Sequence, residues 1–383
     1  MNLRRRAGSV QTFFRHRRAS LQFHQVRDRR GKRGRRWSSQ VLLEGAVVTL
    51  MLLAKSLRRS EQLSEELAAG GRIPGLRRRI PDSTLGDFLC ALSPADIAKH
   101  LHAQILGEHR RKALEPTVLP IRAIAIDGKT NATLDKKVNR DCQKQSAEGE
   151  GNRYVYRMVN ATLISSSAAV CIDRLAIPAS TNDMGVFAAE YDRLKRVYGR
   201  ASLFELVSTD AGFTSEENAG LVNEDGRAYW MALKGNQPEL YAEARRVLIG
   251  KSLQEAPEAE TNWELDSTRG WIRRRLWRTT EMKGWGKWAH LRQVVLIQIL
   301  QSPGDPRTHH GPVRILEEHF FVTNLVPGRL SGEQLLALMR AHWRIENDLH
   351  GSLDVQWKED HGWWVRRRKG LPVVGLLRAI AYN

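Results

Sequence analysis

Three carboxylates that lie far apart in the sequence each occur beside short apolar stretches. They are Asp127 in "AIDGK", Asp210 in "STDAGF" and Glu346 in "WRIENDLH", and they are separated by 83 and 136 residues. Carboxylates that a fold brings together repel one another unless cations neutralise them. Mg²⁺ or Mn²⁺ fits best, because both are hard cations that accept oxygen ligands. Two such ions can activate a water or a 3′-hydroxyl group and stabilise the leaving oxygen, so the triad predicts metal-dependent phosphodiester chemistry.

The strand pattern in residues 118–383 predicts how the two aspartates come together. Residues 121–127 are a short apolar run typical of a buried strand, two strand-like runs follow, and helices then alternate with strands. This β-β-β-α-β-α-β-α order predicts an α/β fold with a mixed sheet, and it matches the ribonuclease H-like fold. In that fold the first and fourth strands end side by side, which would bring Asp127 next to Asp210. Taken singly, each aspartate is also consistent with a turn or a helix cap.

A helix capped by Ser331 is predicted to return to the sheet and deliver Glu346. Glu346, His350 and Asp354 stand at i, i+4 and i+8, so a regular helix would place them along one face. An adjoining apolar stripe has the same spacing and consists of Ile345, Leu349 and Leu353. We expect Glu346 to reach the metal, while Asn347, His350 and Asp354 line the same groove or contact the metal ligands. The alternative is a His–Asp pair that only stabilises the helix.

The charge of the chain predicts a polyanionic partner. Its 383 residues hold 61 Lys or Arg and 42 Asp or Glu, a formal net charge of +19. Composition alone does not distinguish DNA, RNA and an anionic membrane surface. Residues 1–37 are predicted to be a basic, mobile arm that touches phosphate. Residues 38–117 resemble the short helices of a small DNA-binding domain, and residues 118–383 would form the catalytic domain.

Further candidates for DNA contacts follow the predicted strands. Lys129 comes two residues after Asp127, and "LKGNQPEL" places Lys234, Asn236 and Gln237 where they could contact the DNA backbone. The alternative for this stretch is a strand-to-helix turn with a proline near the first helical position. Residues 255–325 are predicted to be a β-rich insertion. Its aromatic and basic residues could hold unpaired bases and phosphates, or pack inward on one face of a sheet; they are Arg269, Trp271, Arg273, Arg274, Arg275 and Trp277.

Cysteines and apolar runs exclude several other classes of protein. Cys90, Cys142 and Cys171 are far apart and no CxxC occurs, so the sequence predicts neither a disulfide framework nor a zinc knuckle. Free thiols in a reducing cytoplasm are expected instead. The longest apolar run, residues 41–54, contains a glutamate and falls short of the roughly 20 residues that a membrane span needs. We therefore predict a buried helix there, and no membrane partner.

These motifs together resemble the DDE transposases of bacterial insertion sequences, in the H-repeat-associated, ISAs-type branch. "FHQVRDRRGKRGRRWSSQVLLEGAVVTLMLLA" and "IPDSTLGDFLCALSP" resemble the N-terminal domain of that family. "AIDGKT", "TDAGFTSEENAGLV", "YWMALKGNQPEL" and "RAHWRIENDLHGSLDVQWKED" resemble its catalytic domain, in the same order. The resemblance implies a ribonuclease H-like core in which Asp127, Asp210 and Glu346 are the acidic triad. It also implies two Mg²⁺ ions, DNA cleavage and strand transfer, a homodimer on paired element ends, and a bacterial, nucleoid-associated location.

A few positions depart from the pattern of the family. Gly351 stands where an aromatic residue is usual. Related transposases carry a Tyr, an Arg and a Lys around the glutamate, and the matching positions here are Met339, His342 and Leu353. The residues expected to supply phosphate contacts instead are Arg340, His342 and Arg344. The chain also ends at Asn383, which is early for this family. These departures favour a catalytically inactive, DNA-binding descendant of a transposase, whereas the intact triad favours an active enzyme. A third reading is a ribonuclease H-like nuclease with another substrate, such as structured RNA.

Overall fold

The computed structural model covers most of the chain. It describes residues 12, 16, 18–31, 35–138, 140–147, 150–308, 311–361, 364–365, 367 and 369–383. Much of the predicted basic arm, residues 1–37, and part of its "RRGKRGRR" segment therefore lie outside the described residues. The described portion of the arm packs on the fold, because Leu21 and Phe23 are buried and Arg18 pairs with Glu44 at 2.7 Å.

The predicted helical region contains four helices that bury their apolar sides. They are α1 (Ser39–Met51), α2 (Leu57–Ala69), α3 (Asp82–Ala91) and α4 (Pro94–Arg110). Ser38 and Ser56 cap the first two, since each side-chain oxygen accepts a hydrogen bond from the backbone N–H three residues later. The apolar run at residues 41–54 forms the buried helix that was predicted. None of the helices in the described ranges is both long and apolar enough to cross a bilayer.

A single mixed sheet of eleven strands forms the centre of the described structure. Its strands are β1 (Ala123–Leu134), β2 (Gln143–Ala147), β3 (Glu150–Leu163), β4 (Val170–Ala176), β5 (Leu206–Thr209), β6 (Ala228–Leu233), β7 (Ala259–Glu260), β8 (Glu264–Asp266), β9 (Gly270–Thr279), β10 (Gln293–Ser302) and β11 (Arg314–Thr323). The spatial order is β2-β3-β1-β5-β6-β11-β10-β9-β7, with β4 beside β3 and β8 beside β9. The predicted α/β class with a mixed sheet is therefore confirmed.

Helices α5 (Asp183–Tyr198), α6 (Glu216–Glu224) and α7 (Pro238–Gln254) follow β4, β5 and β6 in turn. The predicted alternation of helices and strands is therefore present, with β2 as an additional strand. β1 pairs antiparallel with β3 and parallel with β5. The first strand does not end at Asp127 as expected. It continues to Leu134, because beyond the aspartate it leaves β5 but stays hydrogen-bonded to β3.

The β-rich region predicted at residues 255–325 extends the same sheet rather than forming a separate one. β11 pairs antiparallel with β6 over Phe320–Thr323 and Trp230–Leu233, and β10 and β9 continue outward from it. The ring of Trp230 stacks on Phe321 with centroids 4.5 Å apart, which fixes the junction from one face. The insertion is thus joined to the central strands by both backbone and side-chain contacts.

The chain after the insertion returns to the sheet as a broken helix. α8 (Gly332–His342) is followed by a π-helical segment (Ile345–His350), the short α9 (Gly351–Val355) and finally α10 (Gly370–Tyr382). Ser331 caps α8 through a reciprocal pair of hydrogen bonds with Gln334, as predicted. α10 is buried between β4 and the N-terminal helices, and residues of all three belong to one hydrophobic cluster.

Candidate active site at the centre of the sheet

Asp127 and Asp210 occupy corresponding positions on two adjacent strands. The parallel pairing of β1 with β5 ends at the pair Ile126 and Thr209, so the two aspartates are the next residues on each strand. Neighbouring strands lie about 4.8 Å apart, so both carboxylates lie side by side where the pairing of these two central strands ends. Asp127 remains in β1, held opposite Asn160 of β3, whereas Asp210 begins a short 3₁₀ turn. The proximity predicted for this pair from the strand order is therefore present.

Burial, and for the two aspartates neighbouring negative charge, raises the pKa values of the three acids. Burial raises the pKa of Asp127 to about 8, and the negative charges of Asp210 and Glu346 add to the effect. Burial also raises the pKa of Asp210 to about 6, with a further contribution from Asp183. Partial burial raises the pKa of Glu346, while the positive charge of Lys234 opposes this. The three predicted carboxylates thus lie within electrostatic reach of one another.

Glu346 is delivered by the π-helical segment and not by a regular helix. The prediction of one continuous helix here is wrong, because α8 ends at His342 and the next regular turn begins at Gly351. A π-helical turn contains about one residue more than an α-turn, so it rotates the following side chains around the axis. Ile345 and Leu349 still face the core and are fully buried. Glu346 itself is exposed, at the open side of the site.

His350 comes from the same segment and faces Asp127. Its Nδ1 lies 3.5 Å from Asp127 Oδ2, and its Nε2 lies 2.9 Å from the side-chain amide of Asn160. Burial lowers the pKa of His350 to about 3, and the nearby charge of Lys129 acts in the same direction. The imidazole is therefore neutral, and it contacts one of the acidic residues as expected. Asn347 is exposed and lines an open cleft with Arg344 instead.

Lys129 and Asp354 pair with each other rather than acting separately. The Lys129 ammonium group is buried, contacts the Asp354 carboxylate and donates to the backbone oxygen of Thr130. A buried ammonium group that is already paired does not offer its charge to a DNA phosphate in this conformation. The role expected for Lys129 in DNA binding is thus not favoured by its position. In this conformation the Asp354 carboxylate is engaged by the lysine.

The three polar residues after β6 differ in what they contact. Lys234 is exposed, and its charge acts on both Asp210 and Glu346. The amide of Asn236 donates to the backbone oxygens of Ala211 (2.7 Å) and of residue 214 (3.1 Å), and Gln237 also donates to the latter at 3.1 Å. These two amides hold the turn that carries Asp210. Lys234 is therefore the one of the three whose polar group remains directed towards the site.

The basic residues near Glu346 are also engaged within the protein. His342 is buried, its Nδ1 lies 2.8 Å from the Ser208 hydroxyl, and burial lowers its pKa to about 4. It cannot supply the phosphate contact expected of it, because its side chain points into the core. Arg344 donates to the backbone oxygens at residues 164, 166 and 167 and so ties its helix to the loop after β3. Arg340 is exposed and pairs with Glu264 at 3.0 Å. Met339 and Leu353, at the other two positions that differ around the glutamate, are core residues.

The aromatic and basic residues of β9 divide between two faces of the sheet. Trp277 is buried and its indole N–H donates to the backbone oxygen of residue 255. Arg274 is also buried and pairs with Glu264. Arg273 and Arg275 lie on the opposite face from Arg274 and on the same face as Trp277, and both pair with Glu260. The inward-packing alternative therefore describes Trp277 and Arg274, which are buried, whereas Arg273 and Arg275 are only partly buried.

Asp183 is a fourth acidic residue at the site that the sequence did not single out. It starts α5, its Oδ2 accepts a 2.8 Å hydrogen bond from Arg157, and its charge raises the pKa of both Asp127 and Asp210. Gly128 makes room for it, because a Cβ at that position would collide with Asp183 Oδ1. In the sequence it resembles an ordinary first-turn acid of a capped helix. Only the packing of α5 against β1 shows where it points.

The residues present fit a divalent cation in donor type and charge. All four acids offer oxygen ligands, which Mg²⁺ and Mn²⁺ prefer. Asp210 Oδ1 and Asp183 Oδ1 are buried, and no hydrogen-bond donor among the described residues reaches either of them. Burial and neighbouring acids raise the pKa values of Asp127 and Asp210, so a bound cation would stabilise both carboxylates in their ionised form. Within the described ranges no three such side chains already have the geometry of a metal cluster, so the fit rests on chemistry and charge.

Comparison with known proteins identifies the family. No curated protein matches the chain. One similar solved structure is the cryo-EM structure of the piggyBac transposase synaptic complex with hairpin DNA, at 10% sequence identity and a TM-score of 0.44, covering 96% of this chain and 69% of that one. The family model described as the transposase DDE domain matches residues 119–383. Because this match spans well over half of the sequence and contains all four acids, the chain belongs to the transposase DDE domain family.

Proposed function

We propose that the protein is a DNA transposase that cleaves phosphodiester bonds at the ends of an insertion sequence and joins the 3′-hydroxyl to target DNA. The observation that carries the proposal is the cluster formed by Asp127, Asp210 and Glu346, in which the charges of the last two raise the pKa of Asp127. Repulsion of this kind is unfavourable unless the site serves to bind cations. Membership of the transposase DDE domain family supports the same reading.

The acids would hold two Mg²⁺ or Mn²⁺ ions, with Asp127 and Asp210 as ligands from the sheet and Glu346 from the π-helical segment. When bound, the ions would stabilise the negative charge that develops on the attacking and leaving oxygens of the phosphodiester. The protein supplies the geometry. The amides of Asn236 and Gln237 fix the turn of Asp210, so that its carboxylate does not have to be ordered when the substrate arrives.

Lys234 is the residue we assign to the DNA backbone at this site. It is exposed, and it is close enough to lower the pKa of both Asp210 and Glu346. An ammonium group in that position can pair with a phosphate oxygen next to the scissile bond without removing a metal ligand. The net charge of +19 supports wider, salt-dependent contact with the polyanion. Terminal inverted repeats and target DNA would be the two substrates.

The finer assignment rests on the topology and the motifs. A ribonuclease H-like core is supported by the central order β3-β1-β5-β6, in which β1 is antiparallel to β3 and parallel to β5. The motifs "YWMALKGNQPEL" and "RAHWRIENDLHGSLDVQWKED" support the H-repeat-associated, ISAs-type branch. We further propose a homodimer that holds two element ends, acting on the nucleoid in the bacterial cytoplasm.

The test is cleavage of end-labelled DNA that carries the terminal inverted repeat flanking this coding sequence. Wild-type protein should cut at the repeat boundary in Mg²⁺ or Mn²⁺ and not in EDTA. Asp210→Asn should bind the same DNA and lose cleavage by at least about 10³-fold, because a neutral amide does not replace a metal-binding carboxylate. Asp192→Asn is the matched control, since Asp192 is an exposed aspartate on α5.

The outcomes separate the alternative functions. Binding without cleavage by the wild type would indicate a DNA-binding descendant whose triad no longer works. Metal-dependent cutting of structured RNA, with no preference for the DNA repeat, would indicate a nuclease. Equal cleavage by the wild type and Asp210→Asn would refute the catalytic role of the acidic cluster.

A further inference from the structure

A line of buried polar side chains leads from the C-terminal part of the chain to Asp127. Arg174 Nε donates to Asn160 Oδ1 at 2.6 Å, and the Asn160 amide nitrogen lies 2.9 Å from His350 Nε2. His350 Nδ1 in turn lies 3.5 Å from Asp127 Oδ2. Each side chain thus contacts the next, although the participants come from β4, β3, the π-helical segment and β1.

The far end of this line is firmly anchored. Arg174 and Glu359 are both fully buried and form a two-pronged ion pair, with N···O distances of 3.0 and 2.8 Å. Arg174 also donates to the backbone oxygen of Gly375 in α10 at 2.7 Å. These acceptors fix the orientation of the guanidinium plane. Its Nε–H is therefore directed at Asn160 permanently.

The donor and acceptor roles along the line follow from the chemistry of arginine. A guanidinium group only donates, so the Asn160 atom that it contacts must be the amide oxygen. The amide NH₂ group then faces His350 Nε2, which must accept the hydrogen bond and cannot carry a proton. In a neutral imidazole the proton is consequently on Nδ1, and Nδ1–H faces Asp127 Oδ2.

We propose that Arg174 and Asn160 are positioning residues that fix His350 as its Nδ1–H tautomer and so orient the Asp127 carboxylate. The other oxygen, Oδ1, accepts a 2.7 Å hydrogen bond from the backbone N–H of Gly128. One oxygen is thus held by the backbone and the other faces the imidazole at 3.5 Å, and the lone pairs that remain are directed to the site. This inference rests on the proposed function, in which Asp127 binds a cation.

The opposite tautomer would work against the site. It would turn the lone pair of Nδ1 towards Asp127 Oδ2, and once the carboxylate is ionised for cation binding that repulsion would rotate it away. Residues that orient a metal ligand through a hydrogen bond typically contribute about 10–100-fold to metal affinity. Burying the charges of Arg174 and Glu359 is not required for packing. Holding Asn160, and through it His350, gives this ion pair a function.

The tautomer can be measured directly, without metal, DNA or activity. In protein with ¹⁵N-labelled histidine, the two ring nitrogens of His350 are identified by their loss in His350→Gln. The wild type should show a protonated Nδ1 and an unprotonated Nε2. Asn160→Asp presents a carboxylate oxygen, which only accepts, and should shift the proton to Nε2. A wild type already protonated on Nε2 would overturn the proposal.

A matched pair of substitutions tests the consequence for metal binding. In His350→Asn the amide nitrogen can take the place of Nδ1, whereas in His350→Gln it takes the place of Nε2 and leaves no donor for Asp127. The affinity for Mn²⁺ alone, measured by electron paramagnetic resonance, should fall by about 10–100-fold in His350→Gln and Asn160→Asp. His350→Asn should stay within about threefold of the wild type. His100→Gln, which replaces a buried imidazole bonded to the backbone of Leu21, should not change the affinity.

The outcomes distinguish this proposal from the proposed function. Equal Mn²⁺ affinities in His350→Asn and His350→Gln, with normal binding by the wild type, would overturn the positioning role and leave the metal site intact. No Mn²⁺ binding by the wild type would overturn the metal site itself, and the positioning role with it. If His350→Gln fails to fold, Asn160→Asp provides the same comparison, and an unchanged tautomer in that variant would refute the proposal.

Discussion

Replacing Asp210 by asparagine should stabilise the metal-free protein while it abolishes activity. The carboxylate is partly buried, its Oδ1 has no hydrogen-bond donor among the described residues, and its neighbours Asp183 and Glu346 are acidic. Asparagine has nearly the same shape and no charge. The substitution therefore removes the repulsion at this edge of the sheet but keeps the packing of the turn.

The expected magnitude follows from the raised pKa. Burial and neighbouring charge move the pKa of Asp210 from its ordinary 3.8 to about 6. Each pKa unit corresponds to about 1.4 kcal/mol, so the ionised carboxylate lowers the free energy of unfolding by about 3 kcal/mol. The folded protein binds the proton more tightly, so this penalty is absent below about pH 4, grows between about pH 4 and 6, and is complete above that range. Asp210→Asn should recover it with the same pH dependence.

Thermal unfolding in EDTA is the appropriate assay. For a chain of this length, about 3 kcal/mol corresponds to an increase in Tm of about 3–4 °C. Asp210→Asn should show that increase at about pH 7.5 and only about a third of it at about pH 4.5. Asp192→Asn, an exposed aspartate on α5, should change Tm by less than about 1 °C at both pH values.

Two results would refute this reasoning. A lower Tm for Asp210→Asn at neutral pH would show that the carboxylate stabilises the fold, and that the repulsion inferred from its surroundings is absent. An equal increase at both pH values would show that the effect does not arise from the ionised carboxylate. Adding Mg²⁺ provides an internal check, because it should raise the Tm of the wild type and not that of the variant.

Three further substitutions test other parts of the structure. Lys234→Ala should weaken DNA binding and reduce the slope of log affinity against log salt by about 1 in a fluorescence anisotropy titration; an unchanged slope would exclude a phosphate contact. Glu359→Gln leaves two buried arginines without their carboxylate and should lower the free energy of unfolding by about 3–5 kcal/mol. The change is measured as a lower Tm, and an unchanged Tm would contradict the buried pairing. Gly128→Ala should displace Asp183 and lower the free energy of unfolding by about 1–3 kcal/mol through overpacking. Gly250 has open space around it, so Gly250→Ala should lower the free energy of unfolding less in the same assay.

The sequence predicted the parts of the fold that depend on strand order. Apolar runs and their succession were sufficient for a mixed sheet, and the position of Asp127 beside Asp210 follows from that order. The N-cap at Ser331 was predictable because capping depends on residues within one turn. The third acid could be assigned to the same site only through its motif, since Glu346 is 136 residues from Asp210.

The parts that were missed depend on packing between distant segments. The spacing of Ile345 and Leu349 is equally compatible with α-helix and π-helix, so local pattern did not reveal the π-helical segment. His342 is expected to contact phosphate because it stands where related transposases carry an arginine, but its side chain is directed to Ser208 in the core. Asp183 carries no local signal that separates it from a helix-capping acid. Its role depends on the contact with Gly128.

The burial of α10 joins the two ends of the chain into one folding unit. The indole N–H groups of Trp357 and Trp364, from the segment before α10, donate to the backbone oxygens of Leu50 and Ala54 at the end of α1. The hydrophobic cluster continues without interruption from α1 through the central strands to α10. The N-terminal helices and the central sheet should therefore melt in a single cooperative transition. Removing those helices would expose the apolar surface of α10 and of the central strands, so the N-terminal helices are not a module that can be exchanged without a matching change in the sheet.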